Sequence, residues 1–209
     1  MDLYESMIPV DKWVTATAFS LLGFEKKAHS LSFTLYERRH NKPLIVFLHG
    51  MGPTMSSCIP FLTLLINDYD IAFVEMNELN VLNPYKKEDL SRYNLSDIIR
   101  KAEDFILREV PEPALYIATS FGTNVLNRIA KKQPNAKYVF FDPVFLNPTS
   151  TKTIPKSSLL IARKQDTLIN PDKIRSYFSK HALFYDGTHN SWTEDFPSWS
   201  STLERIYNL

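Results

Sequence analysis

Cysteine is nearly absent from this sequence, and its scarcity limits what the chain can do. Cys58 is the one cysteine among 209 residues, so no disulfide can form within the chain. A lone thiol fits a reducing compartment, and in its apolar stretch Cys58 is best interpreted as a small core residue. The sequence also has neither a Cys/His cluster with zinc spacing nor an acidic calcium-binding loop. We therefore expect no bound metal.

Excess charge and long apolar runs are missing as well. The 24 basic and 23 acidic residues give a formal net charge of +1, which does not favour nucleic acid or an anionic membrane as a partner. No apolar run reaches the length of a membrane span. Acidic residues stand near the first methionine, where a signal peptide needs positive charge. We expect a soluble, cytoplasmic protein that does not insert into membranes.

The apolar content is high enough for a complete hydrophobic core. Hydrophobic residues make up 44% of the chain, and a chain of this length fits one domain, which we place over residues 1–209. Residues 1–30 have no clear pattern. Their stretch VTATAFSLLGF fits a helix or a strand equally, and the segment could complete an edge of a sheet or cover a site.

From residue 31 onward, two kinds of apolar pattern alternate. Short runs predict strands over 31–37, 44–50, 70–76, 114–120, 137–144, 157–166 and 181–187. Stretches of helical period predict helices over 56–67, 96–110, 121–132, 170–180 and roughly 197–207. The predicted N-caps are a serine of SSC at 56–58, Ser96 and Asn170. This alternation indicates an α/β fold, in which a mostly parallel central sheet has helices on both faces.

Glycine is scarce, and its positions are informative. Four of the five glycines lie just past predicted strands, where the backbone must turn tightly: Gly50, Gly52, Gly122 and Gly187. Polar residues stand at the same strand ends: His49, Ser120, Asp166 and His189. Because parallel sheets bind ligands at the carboxyl ends of their strands, these residues are the candidates for a functional site.

The segments at these strand ends resemble those of the α/β-hydrolase family, from about residue 31 to the end of the chain. A-T-S-F-G at 118–122 is similar to the nucleophile elbow, with alanine at the first glycine position, and HGMG at 49–52 is similar to the oxyanion loop. Asp166 in ARKQD and His189 in DGTH follow later strands, so Ser120, Asp166 and His189 occur in the family's order.

The resemblance implies a serine hydrolase that cleaves a small-molecule ester or thioester through an acyl-serine intermediate, without a cofactor. Ser120 would be the nucleophile, His189 the general base, and Asp166 the residue that orients the imidazole. The backbone N–H groups of Met51 and Phe121 would stabilise the oxyanion.

Residues around this centre are expected to bind the substrate: Gly50, Gly52 and Trp192. The chain has no room for the cap domain that many members insert after the fourth strand, so we expect a minimal or absent lid and an open site. The glycine-free segment EMNELNVLNPY departs from the loops of many relatives. Tyr85 and Tyr93 nearby are candidates for lining the pocket.

Other interpretations stay open on the sequence alone. Ser120 could be a helix N-cap, and His49 fits a role in holding its loop by hydrogen bonding better than a chemical role. Asp142 also ends a strand and is the main rival to Asp166 as the acid. The chain could instead be a non-catalytic ligand-binding protein on the same scaffold, or an acyltransferase or lyase that uses the same three residues. Oligomeric state is not indicated.

Overall fold

The computed structural model describes residues 3–52, 55–83, 86–146, 154–155, 157–168, 170–172, 174, 182–189 and 199–209. The strands are β1 Glu25–His29, β2 Phe33–Arg38, β3 Leu44–Leu48, β4 Asp70–Met76, β5 Leu115–Thr119, β6 Lys137–Phe141, β7 Ser158–Arg163 and β8 Ala182–Tyr185. The helices are α1 Leu3–Leu21, α2 Ile59–Leu65, α3 Lys87–Arg92, α4 Leu95–Glu109, α5 Gly122–Lys132 and α6 Trp199–Tyr207. A 3-10 turn, Ser56–Cys58, leads into α2.

The strands form one eight-stranded sheet in the order β1-β2-β4-β3-β5-β6-β7-β8. β1 pairs with β2, and β2 with β4, in antiparallel register. All later pairs are parallel, from β4–β3 through β7–β8. The predicted α/β class with a mostly parallel sheet is therefore confirmed, and the carboxyl ends of β3 and β5 to β8 lie along the same edge.

Two hydrophobic clusters cover the two faces of the sheet. In β3, Val46 and Leu48 belong to the cluster that contains apolar side chains of α4 and α5. Ile45 and Phe47 alternate with them and belong to the cluster on the other face, with residues of α1, α2 and α6. Because both faces are covered, the middle of each central strand is apolar, which is why short apolar runs predicted these strands.

The first thirty residues form α1 and the edge strand β1. The buried face of α1 includes Asp11 and Thr15, whereas Val10 and Trp13 on its outer side are 59% and 69% exposed. Polar residues thus occupy part of the buried face of this helix and apolar residues part of its exposed face. For this reason the apolar pattern did not distinguish a helix from a strand. Asp11 Oδ1 accepts hydrogen bonds from Ser56 N–H at 2.9 Å and Ser56 Oγ–H at 2.5 Å, which ties α1 to the loop after β3.

The helix caps differ from those predicted. α4 begins at Leu95, and the side chain of Asn94 accepts from Asp97 N–H at 3.1 Å, so the predicted cap at Ser96 was wrong. No side chain caps the 3-10 turn or α2, whose N-cap positions are Met55 and Cys58, so the predicted serine cap was wrong there as well. Instead, Asp11 from α1 accepts from Ser56 N–H.

The last predicted helix before β8 is described only in part. Of the range 170–180, residues 170–172 and 174 are described, and Asn170 Oδ1 accepts from Asp172 N–H at 2.9 Å, as an N-cap would. Among the described helices, none combines the length and apolar character needed to cross a membrane.

Candidate active site

Ser120 lies at the sharp turn between β5 and α5, in a strained backbone conformation. Its φ is +50°, in the left-handed region that serine seldom adopts. Hydrogen bonds on both sides hold it there: Ser120 N–H donates to the Phe141 carbonyl at 2.9 Å, and the Ser120 carbonyl accepts from Thr123 N–H at 3.2 Å and Thr123 Oγ–H at 2.5 Å. The N-cap of α5 is Phe121 and no side chain caps this helix, so Ser120 is not its cap. The surrounding hydrogen bonds maintain the strained conformation of Ser120.

The elbow needs small residues because the start of α5 approaches β3 closely. A Cβ on Gly122 would lie 2.5 Å from the His49 carbonyl oxygen and 3.1 Å from the Leu48 carbonyl oxygen. Both are backbone atoms, which cannot move aside as a flexible side chain can. Ala118, at the other end of the motif, is fully buried. The turn therefore excludes any larger residue at Gly122.

Three side chains from separate strand ends meet at the carboxyl edge of the sheet. His189 Nε2 lies 2.8 Å from Ser120 Oγ, and His189 Nδ1 lies 2.6 Å from Asp166 Oδ2. A carboxylate only accepts hydrogen bonds, so Nδ1–H donates to Asp166 and Nε2 is left to accept from the serine hydroxyl. The arrangement can pass a proton from Ser120 to His189 while Asp166 stabilises the resulting imidazolium.

Hydrogen bonds between the loops after β7 and β8 fix the positions of Asp166 and His189 relative to each other. After β7 and β8, Gln165 N–H donates to the Gly187 carbonyl at 3.2 Å, and Gly187 N–H donates to Gln165 Oε1 at 2.5 Å. The second oxygen of Asp166 accepts from Leu168 N–H at 2.8 Å. The carboxylate is therefore oriented on one side by backbone and on the other by the imidazole.

Asp142, the rival acid, occupies a different position. It follows β6 with a φ of +41° and is 1% exposed. Its Oδ2 lies 3.8 Å from Nε of Arg163, a cation that is also buried. Asp142 thus pairs with an arginine of the sheet, whereas Asp166 is the carboxylate bonded to His189.

His49 holds the loop that follows β3. The side chain is fully buried, and its Nε2 accepts from Met76 N–H at 2.8 Å. The ring stacks on Phe73 with centroids 5.9 Å apart. Burial lowers the pKa of His49 to about 4, so the ring stays neutral and keeps its lone pair for Met76. This contact matches the loop-holding role expected from the sequence.

A cavity of about 220 Å³ opens beside Ser120. The described residues around it are almost all apolar, namely Met51, Leu90, Leu95, Ser120, Phe121, Val144, Leu146 and Leu168. Met51 and Phe121 were predicted for the oxyanion site and line the cavity with Ser120. Gly50 and Gly52 are buried beside Met51 and are not among these lining residues.

Of the aromatic residues predicted to contact substrate, Tyr93 is described and is not among the residues that line the cavity. Leu90 and Leu95 from the same segment line it, and all three pack against the same hydrophobic cluster. Tyr85 and Trp192 lie outside the described residues. The sequence showed that this segment approaches the site but not which of its side chains face it.

Asn124 was missed by the sequence analysis. Its Nδ2–H₂ donates to the Val144 carbonyl at 2.6 Å, and its Oδ1 accepts from Leu146 N–H at 3.0 Å. One helical amide thus fixes the loop that carries two residues of the cavity wall. An asparagine in an ordinary helical pattern gives no signal of this role.

Within the described ranges, no group of three or more His, Cys, Asp or Glu side chains is arranged to hold a metal ion.

The close approach at Gly122 predicts a specific stability loss. We expect Gly122→Ala to lower the free energy of unfolding by at least about 2 kcal/mol, because the added Cβ meets backbone oxygen. Gly23→Ala is the matched control. Gly23 has a φ of +78° but open space around it, so strain alone should cost about 1 kcal/mol. Denaturant unfolding measures both, and equal losses would contradict the steric explanation.

Buried His49 predicts a dependence of stability on pH. The unfolded chain protonates this histidine near 6.5, but the folded protein does so only near 4. Between these values the unfolded state binds more protons, so the stability contribution is lost as the pH falls. When the pH falls from 7 to 5, we expect the free energy of unfolding of His49→Gln to fall by about 2 kcal/mol less than that of wild type. Denaturant unfolding at both pH values measures this loss in each protein. If wild type and His49→Gln lose the same amount, the ring is not neutral and buried as described.

Solved structures share this architecture at low sequence identity. An esterase from Pyrococcus furiosus is 14% identical over 91% of this chain and 95% of its own, with a TM-score of 0.67. A thioesterase domain from the curacin biosynthetic pathway is 12% identical over 87% and 99%, with a TM-score of 0.63. An alpha/beta hydrolase enzyme from the metagenome of lagoon sediments at Mar Chica, Morocco, is 16% identical over 88% and 98%, with a TM-score of 0.57.

No protein-family model and no curated protein sequence matches the chain. At these identities the likeness to solved structures concerns the fold. The strand order, the crossovers and the structural neighbours agree, and the chain has an α/β-hydrolase fold.

Proposed function

We propose that the chain is a serine hydrolase that cleaves a carboxylic ester or thioester through an acyl-serine intermediate. The observation that carries the proposal is the pair of contacts at His189, 2.8 Å to Ser120 Oγ and 2.6 Å to Asp166 Oδ2. Structural neighbours that are an esterase and a thioesterase support the same reaction class.

In this mechanism, Ser120 Oγ attacks the carbonyl carbon while its proton passes to His189 Nε2. The carbonyl π electrons move to oxygen and give a tetrahedral oxyanion. When the intermediate collapses, the bond to the leaving group breaks and His189 returns the proton to it. Water then repeats the sequence on the acyl-serine, releases the acid and restores Ser120.

In the proposal, two backbone N–H groups beside the cavity stabilise the oxyanion. Phe121 directly follows the nucleophile and precedes the first turn of α5, where the helix dipole favours negative charge. Met51 follows His49 and Gly50 in the loop after β3, and both Met51 and Phe121 line the cavity with Ser120. Removal of one such donor typically costs about 10²–10³ in turnover.

Asp166 orients the imidazole and compensates its charge. Its side chain is 1% exposed and that of His189 is 8% exposed, so water screens their interaction little. Asp142 is occupied by Arg163 and does not share this role in the proposal.

The nucleophile is tested by covalent labelling. Wild type treated with a fluorophosphonate should gain the mass of one adduct, because an activated serine attacks phosphorus as it attacks a carbonyl. Ser120→Ala should gain none, whereas Ser20→Ala, a change at an exposed serine of α1, should label like wild type. Intact-mass spectrometry is the measurement. An adduct that persists in Ser120→Ala, or a well-folded wild type that takes none, would overturn the assignment.

The two candidate acids are distinguished by matched substitutions. Asp166→Asn should lower kcat/KM for a p-nitrophenyl ester by at least about 10²-fold, because the amide no longer compensates the imidazolium. Asp142→Asn should mainly lower stability, since it weakens a buried pair with Arg163. Rates are compared per folded molecule, with the folded fraction taken from circular dichroism. The reverse order of losses would make Asp142 the acid.

A further inference from the structure

Of the two side chains that react with substrate in the proposed mechanism, only one is among the described residues that line the cavity. Ser120 lines it, but His189 is not among the described residues around it. His189 must reach the leaving group, because its Nε2 returns the proton to that atom. We therefore assign a substrate group that fills a cavity lined by Ser120 but not by His189 to the acyl side of the bond rather than to the leaving group.

The walls of the cavity identify the chemistry of that acyl group. Five aliphatic side chains come from three segments. They are Leu90 of α3 and Leu95 of α4, Val144 and Leu146 after β6, and Leu168 after β7. No charged side chain is present among the described lining residues. Such a surface binds an uncharged hydrocarbon chain, because burying a charge there would have no compensating partner.

The size of the cavity limits the length of the chain. An apolar cavity of about 150 Å³ holds the six carbons of benzene, so at about 25 Å³ per atom a cavity of about 220 Å³ holds about nine non-hydrogen atoms. Leu146 at its rim is 49% exposed, so the cavity opens to solvent there. Carbons beyond the rim would return to water and gain little free energy.

We propose that this cavity is an acyl pocket for uncharged aliphatic acyl groups of about six to eight carbons, and that Val144 helps to set that limit. The inference rests on the proposed serine hydrolase. Val144 is the residue to change because its backbone is held at both ends: its N–H donates to the Ser120 carbonyl at 3.4 Å, and its carbonyl accepts from Asn124 at 2.6 Å. A larger side chain at this anchored position must fill the cavity.

The test is an acyl-length series of p-nitrophenyl esters from acetate to dodecanoate. For wild type we expect kcat/KM to rise about fourfold per methylene, the value of burying one CH₂ group. The rise should end near six to eight carbons and the series should then level, because further methylenes pass Leu146 into solvent. A flat series, or a rise that continues to dodecanoate, would overturn the pocket.

The variants are compared through the ratio of hexanoate to acetate kcat/KM, which is insensitive to the fraction of folded enzyme. Val144→Phe should lower this ratio at least tenfold, and Leu146→Trp, which narrows the rim, should lower it in the same direction. Val10→Phe on the exposed side of α1 is the matched control and should keep the wild-type ratio. Equal losses on both esters in Val144→Phe would overturn the role of that residue.

Fluorophosphonate labelling of the same samples separates this inference from the function on which it rests. If Ser120 is labelled but kcat/KM does not depend on acyl length, the serine hydrolase proposal is supported and the acyl pocket is overturned. Absence of both labelling and ester cleavage in folded protein would overturn the proposed function, and the pocket assignment with it.

Discussion

The site depends on one constraint, the strained backbone of Ser120 between β5 and α5. A non-glycine residue in the left-handed region costs on the order of 1–3 kcal/mol, so neighbouring structure has to impose it. Here the Phe141 carbonyl and the Thr123 side chain satisfy the polar backbone of the turn, and Gly122 lets α5 approach the carbonyl of His49. The consequence is a hydroxyl directed out of the sheet edge toward His189.

The other polar groups of the site follow from the parallel sheet. Strands β5, β6 and β7 end at one edge, so Ser120, Asp142 and Asp166 emerge side by side although 46 positions separate the first from the last. The two acids have different partners. Asp142 faces Arg163, whereas Asp166 is turned toward His189 by Leu168 N–H and by the loop contacts between Gln165 and Gly187.

The apolar part of the site is assembled from several segments. Leucines from the α3–α4 region and from the loops after β6 and β7 surround the cavity, and Asn124 fixes one of these loops from inside α5. A small cavity bordered by the nucleophile and open at Leu146 relates the proposed chemistry to a limited range of acyl lengths. Specificity in this proposal is therefore a matter of volume and polarity rather than of a charged contact.

The sequence by itself determined the strand and helix alternation, because strands buried on both faces need runs of apolar residues, as 44–48 and 71–74 have. It also determined the order of Ser120, Asp166 and His189 along the chain. It did not determine α1, whose core-facing Asp11 and Thr15 weaken the helical pattern. Only the tertiary structure decided which acid contacts His189 and which leucines face the cavity. Both depend on contacts between residues far apart in the chain, and the residue pattern within one segment does not predict such contacts.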